Sequence, residues 1–174
     1  TGANWGTAIV IRPRTGEIVA MANYPTFDAN AFGKTSNEIR RNRAVEAVFE
    51  PGSVFKIVPY SGCIEDGLIT PSTMVDCQYG QINVSGRIVH DTPYGVLKAS
   101  DALAFSSNVA AIKMGQKLGN LRLYDYIKNY GFGRKTGIEL PGESSGLVEP
   151  VEQWQPTTIG SIPMGHEIGV TALQ

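Results

Sequence analysis

Two short groups of residues carry the chemistry that this sequence offers. In Glu50-Pro51-Gly52-Ser53-Val54-Phe55-Lys56-Ile57 the Pro-Gly pair marks a sharp turn into a helix, and Ser53 and Lys56 fall three positions apart. Residues at that spacing share one helix face, a turn above each other, which brings a hydroxyl within reach of an amine. Serine is a weak nucleophile until a neighbour accepts its proton, and a lysine accepts one only when burial or nearby positive potential has lowered its pKa. The helix N-terminus supplies that potential, and Val54, Phe55, Ile57 and Val58 dry the surroundings. The second group is Ser106-Ser107-Asn108, a polar interruption between apolar helical stretches. Capping alone explains such a trio, with one serine satisfying a helix end and Asn108 starting the next helix. Beside Ser53 and Lys56, however, it offers a second hydroxyl to relay a proton to a leaving amine. Its amide can hold a peptide carbonyl or orient the lysine.

The elements that must position these groups follow from the hydrophobic pattern. Residues 6–23 read as two strands around the turn Pro13-Arg14-Thr15-Gly16. Their nearly continuous apolar runs, Ala8 to Ile11 and Ile18 to Met21, predict a sheet covered by helices on both faces. Residues 24–42 form a polar connection leading through Asn42-Arg43-Ala44 toward the Ser53 helix. That helix is predicted over Ser53–Asp66 with Gly67 as its C-terminal cap, and Pro59, lacking an N–H, should kink it or loosen its first turns. Residues 68–97 are turn-rich, with Gln81–Val84 and Arg87–Val89 as a hairpin. Ser100 is expected to cap a short helix, Asp101–Phe105. Asn108 then opens a second helix, with Val109, Ile112 and Leu118 inward and Gly119 at its end, and Asn120 caps a third, with Leu123, Tyr126, Ile127 and Tyr130 along one face. Residues 131–165 read as an irregular covering layer. Thr171 caps a helix that begins in the last residues, and because a domain seldom stops in the first turn of an apolar helix, the expectation is a chain cut from a longer one.

Composition narrows the function. With 174 residues and 42% hydrophobic content the chain suffices for about one domain, and a net charge of -1 with 18% charged residues gives no basic field for nucleic acid. No apolar run is long enough to cross a membrane and no signal peptide begins the chain, so the expectation is either a soluble protein or a targeting segment outside this sequence. Cys63 and Cys77 are too few for a disulfide framework, although a bridge between them is open, and they lack the partners of a zinc site. His90 beside Asp91 and His166 beside Glu167 read as hydrogen-bonded structural residues, so neither a metal nor a cofactor is expected.

Taken together, Ser53-x-x-Lys56 and Ser106-x-Asn108 resemble the S-x-x-K and S-x-N motifs of the penicillin-binding protein transpeptidases, the serine acyl-transferases that cross-link peptidoglycan. The resemblance extends over nearly the whole chain, through Thr-Gly-Glu-Ile-Val-Ala-Met-Ala (15–22), Asn-Arg-Ala (42–44), Glu-Pro-Gly-Ser (50–53), Gly-Phe-Gly-Arg-Lys-Thr-Gly-Ile-Glu-Leu-Pro-Gly-Glu (131–143) and Gly-Val-Thr-Ala-Leu-Gln (169–174). It is nearest to the monofunctional, class B members.

The resemblance implies an α/β fold, an antiparallel sheet flanked by helices with a mostly helical subdomain and later strands missing. It also implies a partial transpeptidase domain over 1–174: strands and the Ser53 helix in 1–67, the helical subdomain in 68–150 and a return segment in 151–174. The site it implies is Ser53, Lys56, Ser106 and Asn108. Its substrates would be D-Ala-D-Ala stem peptides, with β-lactams as inhibitors that trap Ser53. Its partners would be other cell-wall synthesis proteins, and its place the periplasmic or extracellular face of the cytoplasmic membrane, held there by an N-terminal anchor absent from this chain. The family's third motif, K-T-G, is matched by Lys135-Thr136-Gly137, but these residues read as a loop triplet just past a helix end. The working copy is expected beyond Gln174, which would leave the fragment inactive or weak alone. Rival readings are a serine β-lactamase or β-lactam sensor domain, a non-catalytic cell-wall scaffold, and phosphate binding by the glycines of 131–137, which follow a helix instead of opening one.

Overall fold

A computed structural model describes residues 2–174. The chain opens with an antiparallel hairpin, β1 (Gly6–Arg12) and β2 (Glu17–Tyr24), with a register shift between Val10 and Ile11. Its β-branched residues suit a pleated surface. Two short helical turns follow, α1 (Asn37–Arg40) and α2 (Arg43–Glu46). The side chain of Asn23 ties α2 to the hairpin, donating to Asn42 Oδ1 at 2.9 Å and accepting from the Ala44 N–H at 3.2 Å. Among the described residues helices do not cover both faces as expected: α2 packs on the hairpin, but Val10, Ile11 and Val19 are 54%, 41% and 57% exposed. An apolar run identifies a face suited to burial, but which element buries it depends on tertiary packing.

The predicted Ser53 helix is present in two parts. A 3₁₀ turn, Gly52–Lys56, leads into α3 (Ile57–Glu65), which ends ahead of Gly67 as expected. Because α-helical geometry starts only after Lys56, Pro59 falls in the first turn of α3, where its missing N–H has no helical partner to lose. The loosening expected from Pro59 is therefore taken up by the 3₁₀ turn that carries Ser53 and Lys56.

Two small antiparallel ribbons come next: β3 (Met74–Asp76) pairs with β6 (Val96–Lys98), and β4 (Gln81–Val84) with β5 (Arg87–His90). Strand β6 runs directly into α4 (Ala99–Ala104), so this helix starts before the predicted Ser100 cap. The long α5 (Asn108–Asn129) is broken at Gly119, whose φ of +74° and ψ of 165° leave the helical region. Glycine reaches that conformation without a Cβ clash. The two halves match the predicted second and third helices. Tyr130 lies past the helix end and is 46% exposed, its hydroxyl donating to Ser61 Oγ at 2.8 Å, so it is not part of the buried face.

Helix α5 links two apolar clusters. Its first half packs Val109, Ile112 and Met114 with Tyr60, Cys63 and the ribbons, and its second half packs Leu123 and Ile127 with Phe55, Val58, Ile162 and Ile168. Cys63 and Cys77 are buried free thiols, not a bridge, and burial pushes the Cys63 thiol up to about 11. Residues beyond α5 form the expected irregular cover, with 3₁₀ turns at Val151–Gln153, Thr158–Gly160 and Ile162–Met164. At the last residues Thr171 and Gln174 exchange side-chain to backbone hydrogen bonds at 2.9 and 3.2 Å, the reciprocal pattern of a capping box.

Candidate active site

The Gly52–Lys56 turn is held from behind by the covering segment. Gly52 N–H donates to Gly165 O at 3.0 Å, and Phe49 and Val170 exchange backbone hydrogen bonds at 3.0 and 2.9 Å. A Cβ on Gly165 would lie 2.1 Å from Gly52 O, so only glycine permits this approach. Glu50 accepts from the Glu167 N–H at 2.9 Å and pairs with His166 Nδ1 at 2.8 Å. Mainly through His166, its carboxyl is held below the usual glutamate range. The sequence did flag His166 as a structural residue. Its partner Glu50 lies 116 positions away, and local spacing gives no sign of the pair.

Within a 3₁₀ turn residues three apart eclipse, so Ser53 and Lys56 stand on one face. Their environments differ. Ser53 is exposed, whereas Lys56 is 1% exposed. Lys56 Nζ donates to the Ser106 backbone carbonyl, to Ser106 Oγ at 3.0 Å and to Asn108 Oδ1 at 2.7 Å. These acceptors match the three N–H groups of an ammonium. No hydrogen bond joins Lys56 to Ser53. A buried amine needs several acceptors, and the Ser106–Asn108 corner supplies them where one exposed hydroxyl cannot. Burial lowers the pKa of Lys56 from the ordinary lysine range, and the charge of Asp91 partly opposes this. Loss of one proton would leave a lone pair on Nζ toward which the Ser106 hydroxyl can turn.

The Ser-Ser-Asn trio divides its labour. Ser107, fully buried, caps α5, its Oγ accepting from the Ala110 N–H at 3.2 Å. Capping therefore accounts for the middle residue and leaves its two neighbours for Lys56. Ser106 has a φ of +58°, a left-handed conformation that costs an L residue about 1–2 kcal/mol. It aims both the carbonyl and the hydroxyl of Ser106 at the amine. With Oδ1 of Asn108 bonded to Lys56, the amide NH₂ is left to donate elsewhere.

Two further residues organise the site without a motif to announce them. Asp91 follows β5, and its Oδ2 accepts from Ser107 Oγ at 2.7 Å and from the Val109 N–H at 3.1 Å. Gly165 is the other. The sequence placed Asp91 only as a neighbour of His90, since its partners lie 16 and 18 residues ahead. Lys135-Thr136-Gly137 lies in an exposed loop, where Glu143 accepts from the Thr136 N–H at 2.6 Å, the Thr136 hydroxyl and the Gly137 N–H at 3.3 Å.

Comparison with known proteins matches the chain to a family. The chain is 40% identical over 178 residues to the penicillin-binding protein PbpB of Mycobacterium tuberculosis, with all of this chain and 26% of that protein aligned. It is 31% identical to the peptidoglycan D,D-transpeptidase FtsI of Escherichia coli, over 99% of this chain and 29% of that one. The crystal structure of penicillin-binding protein 3 from Mycobacterium tuberculosis in complex with aztreonam superposes with a TM-score of 0.90 at 40% identity, over 99% of this chain and 39% of the other. The chain thus spans between a quarter and a third of these curated relatives' length. Because the penicillin binding protein transpeptidase domain matches residues 6–174, nearly end to end, the chain belongs to the penicillin-binding protein transpeptidase family.

Proposed function

We propose that this chain carries the acylating centre of a peptidoglycan D,D-transpeptidase. The observation that carries the reading is a buried lysine, bonded to Ser106 Oγ and Asn108 Oδ1, three positions after an exposed serine on the same 3₁₀ turn. Ser53 Oγ attacks the carbonyl of the penultimate D-Ala of a stem peptide, and its proton passes to neutral Lys56. From Nζ the proton has a short path to Ser106 Oγ, 3.0 Å away, and from there to the departing D-Ala nitrogen as the C–N bond breaks. Asn108 Nδ2 holds the substrate amide. The Ser53 N–H, in the first turn of its helix where donors lack helical partners, stabilises the oxyanion. An amine from a second stem peptide then resolves the acyl-enzyme, which places the reaction in the cell wall, outside the cytoplasmic membrane.

β-Lactams enter the same cycle and stop at the acyl-enzyme. The relative solved with aztreonam supports this. The test is mass spectrometry of the chain within a complete transpeptidase domain after incubation with penicillin. A stable adduct on Ser53 that is absent from Ser53→Ala is the expected result. Rapid release of hydrolysed penicillin would favour a β-lactamase, and no adduct at all would favour a scaffold.

A further inference from the structure

We propose that Asp91 is a positioning residue of this site, clamping the Ser106–Ser107–Asn108 corner to the start of α5 and setting a negative charge against the corner that holds the Lys56 amine. The inference rests on the transpeptidase reading and adds a residue that neither motif contains.

Three observations carry it. Asp91 is itself fixed: its N–H donates to Gly80 O at 2.8 Å, and its Oδ1 accepts from the Thr92 N–H at 2.8 Å. Its Oδ2 then takes two donors from the corner, Ser107 Oγ and the Val109 N–H, so the carboxylate bridges β5 and α5. Ser107 is fully buried, and its immediate neighbours are the two residues that grip Lys56. A strained φ at Ser106 persists only where its surroundings over-determine it. The Asp91–Ser107 bond, one residue away, is such a constraint.

A cap would make the same hydrogen bonds, so the distinguishing feature is charge. The groups bonded to Lys56, Ser106 and Asn108, are neutral, and Asp91 is the charged side chain whose field opposes the effect of burial on this amine. An amine that must both accept and return a proton needs both forms within reach, and a carboxylate against the corner that holds it keeps the charged form from becoming too costly. Neutralising Asp91 leaves burial unopposed.

The experiment measures acylation by penicillin as a function of pH for wild type, Asp91→Asn, Asp91→Ala and Lys56→Ala, each within a complete transpeptidase domain. Asparagine keeps one oxygen, which can accept from Ser107 and Val109, and gives up only the bond from the Thr92 N–H, which lies outside the corner. Asp91→Asn is therefore expected to hold its plateau rate within about threefold of wild type while the limb that rises with pH moves to lower pH by roughly half a unit or more. Asp91→Ala loses clamp and charge together, and its plateau is expected to fall roughly 10–100-fold. A merely structural cap would leave the Asp91→Asn limb where it is in wild type, and that result overturns the proposal, as does an Asp91→Ala plateau equal to wild type. If Asp91→Ala does not fold, the asparagine limb decides alone. Lys56→Ala separates the two readings: wild-type acylation in that variant sinks the catalytic assignment, whereas an inactive Lys56→Ala with an unmoved Asp91→Asn limb sinks the Asp91 role only.

Discussion

Replacing Lys56 by Met separates catalysis from stability at a single buried position. Methionine has nearly the length and volume of the lysine stem, so the packing around a residue that is 1% exposed is kept. What is lost is a charge and its donors to Ser106 O, Ser106 Oγ and Asn108 Oδ1. Ser106 and Asn108 are only partly buried, so water can replace the donor at a cost of about 1 kcal/mol each. Against this, the variant no longer takes an ammonium out of water, a penalty of several kcal/mol in comparable buried sites. The two effects are of similar size, and the variant should unfold within about 2 kcal/mol of wild type, on either side. Folding holds the amine's pKa below 10.5, so the unfolded chain binds its proton more readily and the stability contributed by Lys56 falls as pH drops from about 10.5 through the folded value. The Met variant therefore gains on wild type between about pH 10 and pH 7. Acylation by penicillin, which needs a proton acceptor, should fall by at least about 10²–10⁴-fold. Urea unfolding at both pH values and mass-spectrometric acylation time courses measure the two quantities. Acylation within tenfold of wild type would refute a base role for this lysine, and a stability loss beyond about 4 kcal/mol would refute the burial argument.

Three other perturbations test the surroundings. Gly165→Ala puts a Cβ 2.1 Å from Gly52 O at a φ of +83°; it should cost at least about 2 kcal/mol in thermal or urea unfolding and slow acylation by displacing the turn that carries Ser53. Thr136→Ala, in the loop triplet satisfied by Glu143, should acylate within about twofold of wild type, because surface changes away from a site act weakly; a loss of a hundredfold would make the triplet a working part of the site. The Asp66 carboxyl is held at about 2, first by its hydrogen bonds to Arg122 and then by Tyr126. Its contribution to stability is complete above the unfolded value of 3.8 and is lost as pH falls toward 2, so an Asp66→Asn variant should show a shallower decline in acid unfolding between pH 4 and pH 2, and parallel curves would count against the pairing.

Spacing by itself put Ser53 and Lys56 on one face, marked Gly67 and Gly119 as helix limits, found the Gln81 hairpin and marked Ser106-Ser107-Asn108 as a polar break between helices, within which the family resemblance singled out Ser106 and Asn108. These are local facts, set by the turn of the backbone and by which residues can end a helix, and a sequence states them directly. It also placed Lys135-Thr136-Gly137 in a loop, because the surrounding glycines and prolines forbid a regular strand. Only the folded chain decided that Lys56 is gripped by a corner 50 and 52 residues away, that Asp91 clamps that corner, and that Gly165 backs the serine turn. It also decided that Val10, Ile11 and Val19 of the apolar hairpin stay exposed while Ile9, Ile18 and Met21 are half-buried. A buried amine takes the acceptors that chain closure brings to it, and an apolar face takes the cover that packing supplies. Both are settled by contacts between distant segments, which no local spacing encodes.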